Sequence, residues 1–232
     1  KPSKKTAAEV VRACMEQGVL CLTAKDRVRL LPALMILLLC ATVRGAAFSE
    51  GSPRAATVMV YMCGSNLESG SGAASSDIAE MMESGFDSSV SVLIMTGGSA
   101  CWNMPFKPDQ IQISELNAAP DGEIRFRIVR SSTAESMGEA GTLSAFLRYG
   151  IEKYPAEDYA LILCDHGGGP LEGVCWDEMF SMDNLRLEEL REGLQNAGLP
   201  KKLRWIGFDA CLMADLEVAE TGGPFAGYMI AS

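Results

Sequence analysis

One histidine in 232 residues is the scarcest reagent of this chain. No Cys-x-x-Cys pair occurs either, so the usual cysteine spacings for zinc or dithiol redox chemistry are missing. The glycine-rich stretch Gly64–Gly72 has neither Walker nor dinucleotide spacing, and no run of acidic residues has EF-hand spacing. Positive charge is in deficit: 20 Lys and Arg stand against 30 Asp and Glu, a net charge of -10. That balance argues against nucleic acid as a partner, which would require clustered cations. No apolar run reaches the roughly 20 residues of a membrane-spanning helix. Tandem repeats and low-complexity tracts are absent too.

What is present divides the chain. Residues 1–29 form an unassigned N-terminal extension, with a short helix expected over Ala7–Glu16. Residues 30–49 begin with fourteen largely apolar residues, Leu30–Val43, behind Lys25, Arg27 and Arg29, and small residues come after them. That order is the pattern of a secretory signal, or of an anchor if uncleaved, and membrane contact is expected only through it. Residues 50–56 are a Gly/Ser/Pro linker, and 57–232 are the main domain. Without residues 1–49 the remainder has 12 cationic and 27 acidic residues, a net charge of -15. Its five cysteines are Cys63, Cys101, Cys164, Cys175 and Cys211; an odd number in an exported chain points to a free thiol or an intermolecular bond.

Within the main domain, short apolar runs alternate with amphipathic stretches. Thr57–Cys63, Val90–Met95, Asp158–Cys164, Leu203–Phe208 and Ala226–Ala231 read as core strands. Gln110–Leu116 and Glu123–Val129 alternate polar and apolar residues and read as a hairpin. Helices are expected over Ser76–Glu83, Glu139–Tyr154, Asn184–Ala197 and Leu212–Glu220, with Gly64–Gly72 a loop. The pattern predicts an α/β fold, with a mostly parallel sheet between helical layers and one antiparallel excursion.

The only histidine ends the third of those core strands, in Asp165-His166-Gly167-Gly168-Gly169, and 45 positions later Asp209-Ala210-Cys211 ends the next. Reactive residues at the carboxyl ends of neighbouring parallel strands lie where open α/β sheets build sites. Cys211, ahead of a predicted helix, would gain thiolate character from the helix amino end. His166 can relay its proton, and Gly167 and Cys211 N–H groups are candidates for an oxyanion hole. Asp209 is placed on the side of Cys211 if the strand persists, as a receptor for a basic side chain or as a turn residue. Asp165 points the other way and is not assigned to the dyad. A different reading takes Cys164, His166 and Cys175 as metal ligands, and a cysteine beside a core strand is commonly inert.

These motifs, with Gly173-Val174-Cys175-Trp176-Asp177-Glu178, Val60-Tyr61-Met62, Asn66-Leu67-Glu68 and Phe146–Ile151, resemble the clostripain family of cysteine peptidases, in the caspase-like group. The resemblance covers Thr57–Ser232 and implies a caspase-like three-layer α/β/α sandwich. It implies His166 and Cys211 as a catalytic dyad, Asp209 in a pocket for Arg or Lys, and peptide or protein substrates cut after those residues. Self-cleavage is implied between the two motifs, with Arg186, Arg191 or Lys201-Lys202 as candidates. Some members depend on calcium, so calcium is carried as a candidate cofactor with Asp177, Glu178 and Asp183 as nearby carboxylates. Cys164 departs from the family, which often has an aromatic there. The family also continues beyond Ser232, so a truncated peptidase domain is expected. The alternatives from another class are a non-catalytic binding or scaffold module that keeps the fold, or an inactive fragment.

Overall fold

A computed structural model describes residues 20–21, 54–119 and 121–232. The Ala7–Glu16 helix and the apolar Leu30–Val43 segment lie outside the described residues. The strands are β1 (Leu20–Cys21), β2 (Arg54–Cys63), β3 (Val90–Gly97), β4 (Gln110–Ala118), β5 (Ile124–Thr133), β6 (Ala156–Cys164), β7 (Val174–Asp177), β8 (Asp183–Leu185), β9 (Leu203–Asp209) and β10 (Ala226–Ala231). The helices are α1 (Ser65–Ser71), α2 (Ala73–Glu83), α3 (Ala140–Lys153), α4 (Gly169–Glu172), α5 (Leu187–Asn196) and α6 (Leu216–Gly222).

Eight strands make the main sheet in the order β1-β10-β9-β6-β2-β3-β4-β5, and β7 and β8 pair separately. β1, β10, β9, β6, β2 and β3 run parallel; β4 is antiparallel to β3, and β5 to β4. The central strands are continuous apolar runs because both of their faces are covered. On one face Met59, Tyr61, Leu161 and Leu163 pack with Leu143, Phe146 and Leu147 of α3 and Leu190 and Leu194 of α5. On the other, Val58, Val60 and Ile162 pack with Ala74, Ile78 and Met81 of α2. The result is the three-layer α/β sandwich expected from the sequence.

The chain leaves β2 toward β3 through α1 and α2 on one face, and leaves β6 toward β9 through α5 on the other. Because β2 and β6 are neighbours, the chain direction diverges between them. Such a switch point opens a crevice at the carboxyl ends of the strands. Asn66 lies just past β2 and His166 just past β6, so both stand at that crevice.

Local expectations met corrections, three of them away from the turn after β9. The Gly64–Gly72 stretch is not a plain loop, since Ser65–Ser71 is α1, closed by Gly72 in the left-handed conformation. Buried Glu68 explains this, because its carboxylate accepts from the Ser75 N–H and hydroxyl and the Asn103 N–H, tying α1 to α2. Asn184 and Leu185, expected to start the helix, belong instead to the strand Asp183–Leu185, because Val174 and Trp176 recruit them into the β7–β8 pair. The linker yields its last residues to the sheet: β2 begins at Arg54, whose guanidinium donates to the Ser88 and Val90 carbonyls.

Candidate active site

Three chain segments meet at the switch point. From β2 comes Gly64-Ser65-Asn66, from β6 Asp165-His166-Gly167, and from β9 Asp209-Ala210-Cys211. The last two are in backbone contact: a Cβ on Gly167 would overlap the Cys211 carbonyl oxygen and sit 3.1 Å from the Ala210 Cβ. Only glycine permits that approach. His166 is therefore one residue from the segment that carries Cys211. Gly167 is bridged to Val174, but the bonds of that bridge run from Gly168 N–H to the Gly173 carbonyl and from Cys175 N–H to the His166 carbonyl. The Gly167 and Cys211 N–H groups donate to no protein acceptor among the described residues.

His166 is half-buried, edge-on to the Trp176 ring at 6.1 Å between centroids. Its Nε2 lies 2.7 Å from Asn66 Oδ1. An amide oxygen only accepts, so this contact puts the ring proton on Nε2 and leaves Nδ1 as the basic nitrogen. Asn66 was legible as a residue after the first strand, but not as a partner of His166. The available signal was position, since it stands past the strand next to β6 at the same end of the sheet.

Cys211 is exposed, whereas Cys63, Cys164 and Cys175 are buried and burial pushes all three thiols well above their ordinary value. Among the described residues no disulfide forms. The helix expected directly after Cys211 begins only at Leu216, where the Asp215 carboxylate accepts the Glu217 N–H. Cys211 and Leu212 form a turn instead, with Leu212 at φ 61°. The helix amino end is thus already satisfied by Asp215 and is separated from the thiol. Cys101 is exposed as well, so it is the neighbouring Gly167 loop, rather than exposure alone or a helix dipole, that distinguishes Cys211.

Asp209 is the last residue of β9 and pairs in register with Cys164. Strand alternation ends there, so it no longer dictates which side Cys211 shares. Asp165 is buried, and this raises its carboxyl to about 7 despite hydrogen bonds from Ser65 Oγ at 2.5 Å and Trp176 N–H at 2.7 Å. It belongs to the interior beneath His166, consistent with leaving it out of the dyad.

The alternative metal reading fails on placement. Cys164 and Cys175 are core thiols, and no group of three or more His, Cys, Asp or Glu among the described residues could hold an ion. The carboxylates considered for calcium serve the protein. Asp177 accepts from Met137, Met179 and Phe180 N–H, Glu178 from the Ser69 hydroxyl and Ala100 N–H, and Asp183 from the Ser136 hydroxyl. They do not fit a calcium site.

With this geometry in place, similarity to known proteins is decisive on ancestry. The model of the clostripain family matches residues 60–232. The chain belongs to the clostripain family. It is 31% identical to clostripain of Hathewaya histolytica, over 48% of this chain and 24% of that protein. Among solved structures it is similar to a secreted C11 cysteine protease of Bacteroides thetaiotaomicron bound to an irreversible peptide inhibitor, with TM-score 0.63, 21% identity, and 76% of this chain and 48% of that one covered. An inactive zymogen of a C11 protease from Parabacteroides distasonis gives TM-score 0.61 and 24% identity, with 79% and 50% covered. The fold is therefore that of caspase-like cysteine peptidases. The chain spans about half the length of these two solved relatives and a quarter of the curated one.

Proposed function

We propose that this chain carries the catalytic centre of a cysteine endopeptidase cutting after Arg or Lys. The observation that carries the reading is the packing of Gly167 onto Cys211, with His166 next to the contact and turned by Asn66. His166 Nδ1 takes the Cys211 thiol proton, and the resulting Sγ thiolate attacks the substrate carbonyl carbon. The oxyanion is held by the Gly167 and Cys211 N–H groups, each such donor contributing roughly 3–4 kcal/mol in acyl transfer. His166 protonates the leaving amine, and water then hydrolyses the thioester.

Asp209 is the carboxylate assigned to the basic side chain on the amino side of the cut. It is half-buried at a strand end beside the thiol's turn, where a salt bridge to guanidinium or ammonium would be partly desolvated. Exposed Leu212 and Leu216 flank the same turn and offer apolar contact to a peptide. For self-processing, the exposed turn at Lys201-Lys202 is a better substrate than Arg191 within α5, because a protease needs extended chain. Secretion is part of this reading: solved relatives are described as secreted, and Leu30–Val43 has signal character. Among the described residues no helix is long and apolar enough to cross a membrane.

The test is turnover of Arg-, Lys- and Ala-ending peptide substrates by the complete protein, its Cys211→Ala variant and its Asp209→Asn variant. Cys211→Ala lowers turnover at least about a thousandfold, and Asp209→Asn narrows the margin of Arg and Lys over Ala. Equal turnover by wild type and Cys211→Ala would sink the peptidase reading. An intact Cys211 that no Arg-based electrophile labels would favour the binding-module alternative.

A further inference from the structure

Directly beneath the Asn66–His166 contact lies a second contact between the same two segments. Ser65, fully buried, donates its hydroxyl to Asp165 Oδ1 at 2.5 Å. Asn66 is the next residue after Ser65 and His166 the next after Asp165, so the two contacts form adjacent rungs between the end of β2 and the end of β6.

Ser65 is held there against its backbone preference. Its φ is 46°, in the left-handed region that a residue with a Cβ adopts at a cost. Three bonds compensate: the hydroxyl to Asp165, the Leu67 N–H to the Ser65 hydroxyl at 3.2 Å, and the Ser99 hydroxyl to the Ser65 carbonyl at 2.8 Å. Asp165 is anchored from its other oxygen by the Trp176 N–H, and Trp176 is the ring that His166 meets edge-on. Thus both the amide and the indole that touch the imidazole are held through one buried carboxylate.

We propose that Ser65 and Asp165 are positioning residues, a buried clamp that keeps Asn66 and Trp176 in place around His166 and so fixes the orientation and tautomer of the ring. The role in turnover rests on the peptidase reading above; the role in ring geometry does not. Neither residue touches substrate, so loosening the clamp affects kcat and leaves KM nearly unchanged.

His166 is the only histidine of this chain, which makes its ring directly observable. In histidine-15N-labelled complete protein, the His166 signals, assigned by their loss in His166→Gln, are one protonated Nε2 and one bare Nδ1. In Ser65→Ala the two nitrogens move toward tautomeric averaging, and kcat falls about 10- to 100-fold with KM within about twofold. Asp165→Asn keeps one acceptor for Ser65 and loses the one for Trp176, so it gives a smaller change of the same kind and serves if Ser65→Ala does not fold. Thr57→Val removes the hydroxyl bond of an equally buried residue, to the Tyr154 carbonyl at the opposite end of β2, and leaves both readouts unmoved. Unchanged ring signals in the folded Ser65 or Asp165 variant overturn the clamp, as does a kcat loss matched by Thr57→Val. Cys211→Ala separates the two ideas: retained turnover there defeats the peptidase reading, while the ring signals still judge the clamp.

Discussion

The parallel half of the sheet and its antiparallel excursion are built from the same backbone and do different work. β2, β3 and β6 are buried almost throughout, and the residues just past the carboxyl ends of β2 and β6 help form the candidate site. β5 is half-buried at best, alternating with exposed residues, and with β4 it contributes none of the candidate residues. Parallel strands must be connected by long crossovers, and the helices of those crossovers cover both faces. The strand ends are then the only places where such a sheet meets solvent, which is where polar chemistry can sit. A hairpin needs only a short turn and gains no such crevice.

Variants can break or sharpen this contrast. Leu161→Ala in β6 removes a fully buried side chain from the larger core and lowers stability by about 2–5 kcal/mol in urea unfolding. Half-buried Ile128→Ala in β5 lowers it by less than about 2 kcal/mol. Equal losses would erase the distinction between the two halves. Gly167→Ala forces backbone apart at the site itself, because the new Cβ meets the Cys211 carbonyl rather than a flexible side chain. Peptidase turnover falls about a hundredfold while the fold persists, as read by kcat and circular dichroism.

The next effect is one of pH. Burial raises the Asp165 carboxyl from 3.8 to about 7, so the folded state holds its proton more tightly than the unfolded chain. Its stabilising contribution is complete below the unfolded value and is lost as pH climbs through the folded one. Relative to Asp165→Asn, the wild type loses stability between about pH 4 and pH 7, with a slope of up to about 1.4 kcal/mol per pH unit. A flat difference across that window contradicts the assignment. The smallest effect belongs to the hairpin: exposed Arg125 pairs with exposed Asp121 at 2.9 Å, and Arg125→Ala leaves Tm within about two degrees.

Legibility obeys the same division. The Val90–Met95 and Leu203–Phe208 runs are readable as strands because a strand buried on both faces has little freedom in composition. The hairpin is readable from its alternation. Other elements are not legible, among them β7, the short α4, α1 and β8. The Gly and Ser residues of α1 are poor helix formers, and buried Glu68 holds that helix in place; the Asp183-Asn184 start of β8 carries no strand signal without its partner β7. The helix after Cys211 starts at Leu216, four residues later than its pattern suggests, since the Asp215 cap is a local choice among several acidic residues.

By itself the sequence determined the class of fold and, through its motifs, membership of the clostripain family. These depend on residue types and their order, which local chemistry constrains. Only the tertiary structure decided that Cys63, Cys164 and Cys175 are core thiols while Cys101 and Cys211 are exposed, that Asn66 turns the imidazole, and that Gly167 is packed against Cys211. Those facts depend on contacts between residues some 45 or 100 positions apart. No local pattern encodes such contacts, because the sheet order that creates them is a property of the whole packed chain.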